Sequence, residues 1–307
     1  NIQRMDTFLL NNGIQMPRIG LGTFLIPKEK IIDTIGQAYD LGYRKFDTAW
    51  RYFNEADIAT ALKVHHIPRE SVFITTKVNA DALFLGRFHG GPLKFLNIRI
   101  KSIRKAVEES FKHLNTEYVD LFLVHTPWPM YPEMYEVLTD FYHKGMIRAI
   151  GVSSFLPPMI ASLKDVSDVV PAVNQFEISP LNTQKQLIKY CQGGGIVAEA
   201  MSTFSHFRSN EPRMEILENP AIKPIANKYC KSIAQVVLRW LYQQNISIIP
   251  KTWNPAHLRE NIEIFDFQLT DEEMKSIDSL DRGKFLNYDP YPAMKNVPKK
   301  YRDWKSF

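Results

Sequence analysis

Cysteine is scarce. The 307 residues contain only Cys191 and Cys230, in no C-x-x-C arrangement. A disulfide framework and a zinc site are therefore not indicated, and the usage fits a reducing, cytoplasmic setting. No apolar run is long enough to cross a bilayer. The opening residues, NIQRMDTFLLNNG, lack the apolar core of a signal peptide. A soluble intracellular protein with no membrane partner is the expectation. Charge of one sign is not concentrated either: 38 basic and 33 acidic residues leave a net +5 spread along the chain. The densest basic cluster, Lys295, Lys299, Lys300, Arg302 and Lys305, reads as a solvated tail, and no nucleic-acid motif accompanies it. Catalytic signatures are missing as well: no G-x-S-x-G nucleophile, no H-E-x-x-H and no phosphate P-loop. The segment GLGTFL supplies Gly20 and Gly22, but Leu25 stands at the third glycine position of a dinucleotide fingerprint. GGG at 193–195 precedes a strand instead of following one, so a Rossmann unit is excluded.

What the chain does have is a recurring alternation. Short segments rich in Val, Ile and Phe lie at 18–24, 44–49, 72–78, 119–126, 149–155, 172–179, 195–202 and 246–252. Amphipathic stretches such as IIDTIGQAYDLG and SIAQVVLRWLYQQ separate them. Strands apolar on both faces, alternating with helices, indicate a parallel sheet. Eight such units favour a closed (β/α)8 TIM barrel, an α/β fold, over an open doubly wound sheet. FLLNNGIQM predicts an N-terminal β-hairpin turning at Asn11-Asn12-Gly13 and capping the barrel floor. No low-complexity linker divides the chain, so one domain over 1–307 is expected. Residues 203–219 read as a polar loop. The long connection 79–98, carrying Phe84, Leu85, Phe88 and Phe95, reads as a lid or a variable surface loop. The tail 284–307 is expected across the rim, with Tyr288, Tyr291 or Trp304 as substrate contacts.

In such a barrel, functional groups belong at the C-terminal ends of the strands. Those positions hold Asp47, Lys77, His125, Ser153, Ser154, Asn174, Gln175, Lys251 and Thr252. Tyr52 follows Asp47 by five residues, at the start of a helix. Each has an ordinary structural explanation alone, as a cap, a surface lysine, a core histidine or a packing aromatic. Together they make a proton donor. A phenol is a poor acid at neutral pH; a neighbouring ammonium favours its phenolate, and an aspartate keeps the lysine charged and in place. An imidazole nearby can hydrogen-bond and orient a substrate carbonyl. Electrons must come from elsewhere.

GYRKFDTAWRYFNEADIATAL, VDLFLVHTPWP and IIPKTWNPAHLREN resemble the three signatures of the aldo-keto reductases. GMIRAIGVSSF, VNQFEISP and DFQLTDEEMKSIDSL extend the likeness over nearly the whole chain. The resemblance implies a (β/α)8 barrel that binds NADP(H), with NAD(H) as a second option, and reduces a small-molecule carbonyl compound. It implies Tyr52 as general acid, supported by Lys77, Asp47 and His125. Ser153 and Gln175 match positions that hold the nicotinamide carboxamide. Ser202, Lys251 and Thr252 match positions near the phosphates, and Glu260 and Asn261 match adenine contacts. A monomer or weak dimer is expected.

The sequence departs from the family pattern at several positions. Ser154 replaces an asparagine beside Ser153. Met201 stands where a tyrosine stacks on the nicotinamide, and a thioether packs less specifically. His257 stands for an arginine that pairs with the 2′-phosphate, which weakens the expected preference for NADPH. Arg51 precedes the catalytic tyrosine where a small or apolar residue is usual. It can meet an anionic substrate or pair with a residue such as Glu55. Phe24, Trp50 and Trp128 are expected to line the substrate pocket, suiting a dedicated biosynthetic reductase with an anionic or partly apolar substrate. A cofactor-binding regulatory or structural protein on the same scaffold is the alternative. Reduction of a carbon–carbon double bond is disfavoured, because relatives that perform it replace the histidine.

Overall fold

The computed structural model describes residues 6–79, 96–204, 211–283 and 285–302. Phe84, Leu85, Phe88 and Phe95 of the long connection, and Trp304, lie outside them. All eight expected strands are present: β3 (Leu21–Gly22), β4 (Lys45–Asp47), β5 (Phe73–Val78), β6 (Leu121–Val124), β7 (Ile150–Ser153), β8 (Val173–Glu177), β9 (Val197–Met201) and β10 (Ser247–Ile248). They pair in parallel in chain order, β3 through β10. The ring closes between its ends, where Ile19 bridges Ile248 in parallel. Gly20 N and Gly22 N donate to Ile248 O (2.8 Å) and Pro250 O (3.2 Å) across that seam. The first and last strands are shorter than their apolar runs, because at the seam single hydrogen bonds replace continuous ladders.

The helices form the outer layer: α1 (Lys28–Asp40), α2 (Glu55–Val64), α3 (Leu96–Leu114), α4 (Tyr131–His143), α5 (Pro157–Ser162), α6 (Lys185–Gly193), α7 (Glu211–Leu217), α8 (Lys223–Tyr229), α9 (Ile233–Gln243), α10 (Pro255–Ile262) and α11 (Asp271–Asp278). α9 shows how sequence sets them. Ser232 and Gln235 cap its start reciprocally, and Val236, Val237, Trp240 and Leu241 form the stripe that is buried against the barrel. Burying each such side chain stabilises the fold by roughly 1.5–3 kcal/mol. The segment 203–219 departs from the expected loop: α7 occupies part of it, because Ile216 provides a buried anchor (2% exposed). Among the described residues no helix is long and apolar enough to cross a membrane.

The hairpin, β1 (Thr7–Leu9) with β2 (Gln15–Pro17), forms at the predicted turn, with Gly13 at φ +85°. Leu10 and Met16 seal the floor against Phe73, Leu121, Leu123 and Val173. The side chains of Asn11 and Asn12 donate to Pro171 O (3.0 Å) and Arg148 O (2.8 Å), which fastens the cap. The tail crosses the opposite rim. Buried Glu177, at the end of β8, accepts from Leu286 N (2.8 Å) and Asn287 N (2.7 Å). Further on, Asn296 Nδ2 donates to Pro127 O (3.3 Å) and Tyr301 OH to Asp165 Oδ1 (2.7 Å).

The glycines of GLGTFL have a packing role. A Cβ on Gly20 would stand 2.6 Å from Lys45 Cε and 2.9 Å from Lys45 O; one on Gly22 would stand 2.8 Å from Ile249 O. Gly20 leaves room for a lysine inside the barrel. Gly20→Ala is expected to destabilise the protein by about 2 kcal/mol through overpacking against that lysine. Urea unfolding of the variant checks this, and an unchanged midpoint would contradict it.

Candidate active site

Three strand ends and one turn build the site. β4 ends on Asp47, and the chain then enters a 3-10 turn, Trp50–Tyr52, that delivers the phenol to the rim. β5 carries Lys77, and His125 follows β6. Lys77 Nζ lies 2.6 Å from Asp47 Oδ1, 2.9 Å from Thr48 O and 3.4 Å from Tyr52 OH. The ring of His125 meets that of Tyr52 edge-on at 5.7 Å, and Phe24 lies 4.7 Å from Tyr52 on another side. The structure thus brings together Asp47, Lys77 and His125 from the strand ends and Tyr52 from the turn after β4.

The electrostatics differ in one respect from the expectation. Lys77 does pull the Tyr52 phenol down, but removal of the hydroxyl from water outweighs it, and Asp47 adds to the rise. The phenol is therefore protonated at neutral pH. Burial opposes the charge on Lys77, yet Asp47 and Tyr52 hold its ammonium above the ordinary value. His125 is depressed well below 6.5 by burial, with Lys77 and Arg51 adding to the effect. Its imidazole is neutral, and Nδ1 is buried with no hydrogen-bond partner.

A cleft of about 350 Å³ opens from Tyr52 and Asp47 along the rim. Phe24, Gln175, Met201, Ser202, Lys251, Thr252, His257, Glu260 and Asn261 all line it. Ser153 and Ser154 stand beside it: Ser153 pairs in register with Gln175, and its buried Oγ has no partner. Ser154 occupies the left-handed region (φ 61°), as does Ser202 (φ 56°). That conformation suits the asparagine usual at position 154 better than serine. Ser202 Oγ accepts from Asn287 Nδ2 of the tail at 2.6 Å.

Two expectations are corrected. Trp50 is buried, 7% exposed, and its indole N–H points to Glu109 Oε2 of α3 (3.2 Å), so it packs toward the helix layer and not into the cleft. Glu55 turns inward to Thr76 Oγ1 (2.5 Å) and His113 Nδ1 (3.4 Å), so it is not the partner of Arg51. Arg51 itself is exposed beside Tyr52. Tyr288 of the tail lies beside Trp128, whereas Tyr291 is 52% exposed.

Sequence reading missed Arg213, Lys45 and Glu199. Arg213 of α7 lines the cleft, and its charge, after burial, is what lowers Lys251. No local pattern distinguished it within a polar segment. Lys45 and Glu199 are fully buried and paired at 2.6 Å; each sat inside an apolar strand run, which was the available signal. Among the described residues no group of three His, Cys, Asp or Glu converges to hold a metal ion.

Comparison with known proteins identifies the class. The aldo/keto reductase family model matches residues 18–282. Morphine 6-dehydrogenase of Pseudomonas putida is 36% identical over 291 residues, covering 92% of this chain and 93% of that one. Glyoxal reductase of Bacillus subtilis is 36% identical over 290 residues, covering 93% and 96%. A Bombyx mori aldo-keto reductase solved in complex with NADP superposes with a TM-score of 0.79 at 30% identity, covering 94% and 99%. The chain belongs to the aldo/keto reductase family. It is an oxidoreductase that reduces carbonyl compounds.

The neutral His125 yields a pH signature. Above about pH 6.5 it is uncharged in both folded and unfolded chains. As the pH falls from there toward its depressed folded-state value, the unfolded chain takes up a proton that the folded one does not. Stability is then lost by up to about 1.4 kcal/mol per pH unit. A His125→Asn variant should gain stability relative to the parent between pH 7 and 5.5, measured by urea unfolding. A constant difference across that range would contradict a buried neutral imidazole.

Proposed function

We propose that the protein reduces an aldehyde or ketone to the alcohol with NADPH bound in the cleft, and that Tyr52 donates the proton. The observation that carries this reading is the Asp47–Lys77–Tyr52 chain, with contacts of 2.6 and 3.4 Å, at the end of the cleft. When bound, the dihydronicotinamide supplies hydride to the carbonyl carbon.

The chain's own residues supply the rest. Tyr52 holds its proton at neutral pH, as a general acid must. As the proton leaves, Lys77 at 3.4 Å stabilises the phenolate, by a few kcal/mol on a Coulomb scale with an effective dielectric near 20. Asp47 keeps Lys77 charged and fixed. The neutral imidazole of His125 offers one N–H to the carbonyl oxygen and orients it toward Tyr52. Ser153 Oγ, buried without a partner, and Gln175 fit the carboxamide. Lys251 and Arg213 place two cations along the cleft where phosphates fit. They favour NADPH over NADH although His257 forms no bidentate clamp. For the substrate, exposed Arg51, whose charge reaches His125, supports an anionic substituent, and Phe24, 40% exposed, offers apolar surface. The same geometry speaks against a purely regulatory role, since a charged lysine buried beside an unused phenol would be a burden on the fold.

Tyr52→Phe should lower kcat for carbonyl reduction by at least about 10²-fold while leaving NADPH affinity within about threefold. Retained turnover would overturn the assignment of Tyr52. With 4-carboxybenzaldehyde and benzaldehyde as probes, kcat/KM should favour the anion by about fivefold, and Arg51→Gln should bring the two together. Equal efficiencies in the parent protein would remove the anionic substrate class.

A further inference from the structure

Gln175 stands between two carboxylates inside the barrel. Its Nε2 lies 2.8 Å from Asp47 Oδ2 and 2.9 Å from Glu199 Oε1. Carboxylates only accept, so the amide must present nitrogen to both; an oxygen there would face two anions. Glu199 is itself held. Its Oε2 accepts from Lys45 Nζ at 2.6 Å and from Ser247 Oγ at 2.7 Å, and the Lys45 ammonium lies 2.5 Å from Ser247 Oγ. Lys45, Glu199 and Ser247 are fully buried and Gln175 is 1% exposed. Burial opposes ionisation of Glu199, but Lys45 and the hydrogen bonds from Gln175 and Ser247 hold its carboxyl below the ordinary value, so it is charged.

An amide NH₂ has two hydrogens, and here both are engaged. Asp47 takes one and Glu199 the other. What Gln175 has left to offer the cleft it lines is its carbonyl oxygen. Replacing a buried ion pair by apolar residues is often neutral or stabilising, so bulk stability is a weak reason for one at this depth. Its placement against the amide is a specific one.

We infer that the Lys45–Glu199 ion pair is a positioning device that fixes the Gln175 amide as a pure acceptor toward the carboxamide N–H of the nicotinamide. Asp47 alone would leave one amide hydrogen free, and Gln175 could then donate to the ligand as well as accept from it. Glu199 removes that option. Neither Lys45 nor Glu199 touches the reacting atoms; both act through Gln175. The inference rests on the reading that the cleft holds NADPH.

The test compares dissociation constants, by quenching of protein fluorescence, for NADPH and two analogues. In the 3-acetylpyridine analogue a methyl group replaces the carboxamide nitrogen; in the thionicotinamide analogue sulfur replaces its oxygen. The parent protein should bind the acetyl analogue about fivefold more weakly than NADPH, the scale of one lost hydrogen bond, and the thio analogue within about twofold. In Lys45→Met/Glu199→Leu, which leaves no buried charge unpaired, the penalty for the acetyl analogue should fall to about twofold or less. Equal binding of NADPH and the acetyl analogue by the parent protein overturns the inference even if the double variant does not fold. A folded double variant that keeps the full penalty overturns it too. If NADPH itself fails to bind, the cofactor reading fails and this inference falls with it. NADPH binding without discrimination sinks the inference alone.

Discussion

Two lysines lie inside the barrel, and the site depends on how their charges are balanced. Lys45 and Lys77 are both fully buried. An isolated ammonium at that depth would lose its proton or unfold the chain. Glu199 answers Lys45 at 2.6 Å and Asp47 answers Lys77 at 2.6 Å. Gln175 ties the two pairs into one connected network through its single NH₂ group. Removing one partner of either ion pair would leave the other charge buried and unmatched. Tyr52 then receives a fixed ammonium neighbour, which is the property the proposed chemistry needs.

The rest of the fold serves that arrangement. Parallel strands bring Asp47, Lys77, Gln175 and Glu199 to neighbouring heights in the barrel, although they come from four strands. Gly20 lacks a side chain where Lys45 passes. The hairpin closes the floor with apolar residues. On the rim, Glu177 anchors the tail, and the tail brings Asn287 to Ser202 and Tyr288 to Trp128.

The parts that were legible in the sequence depend on local pattern. Eight Val-, Ile- and Phe-rich runs gave eight strands, and the polar residue ending each run marked the rim. The Asn11-Asn12-Gly13 turn was equally local. Lys45–Glu199 was not legible, because its partners are 154 positions apart and each looks like a stray charge in an apolar strand. Trp50 was expected in the pocket because Tyr52 is near it in sequence, but the 3-10 turn sends the two rings to different sides. The Tyr52 phenol was expected to be lowered by Lys77; the neighbour was read correctly, but the extent of burial is a tertiary property. Arg213 was hidden for the same reason, since only the packing of α7 against α9 brings it to the cleft beside Lys251.

If the charge-balanced rim closes a cleft for NADPH, as proposed, cofactor binding follows from it. Fluorescence titration of the purified protein with NADPH and with NADH reads that binding. Both should bind saturably, NADPH more tightly because Lys251 and Arg213 favour the extra phosphate. Binding of neither would contradict it.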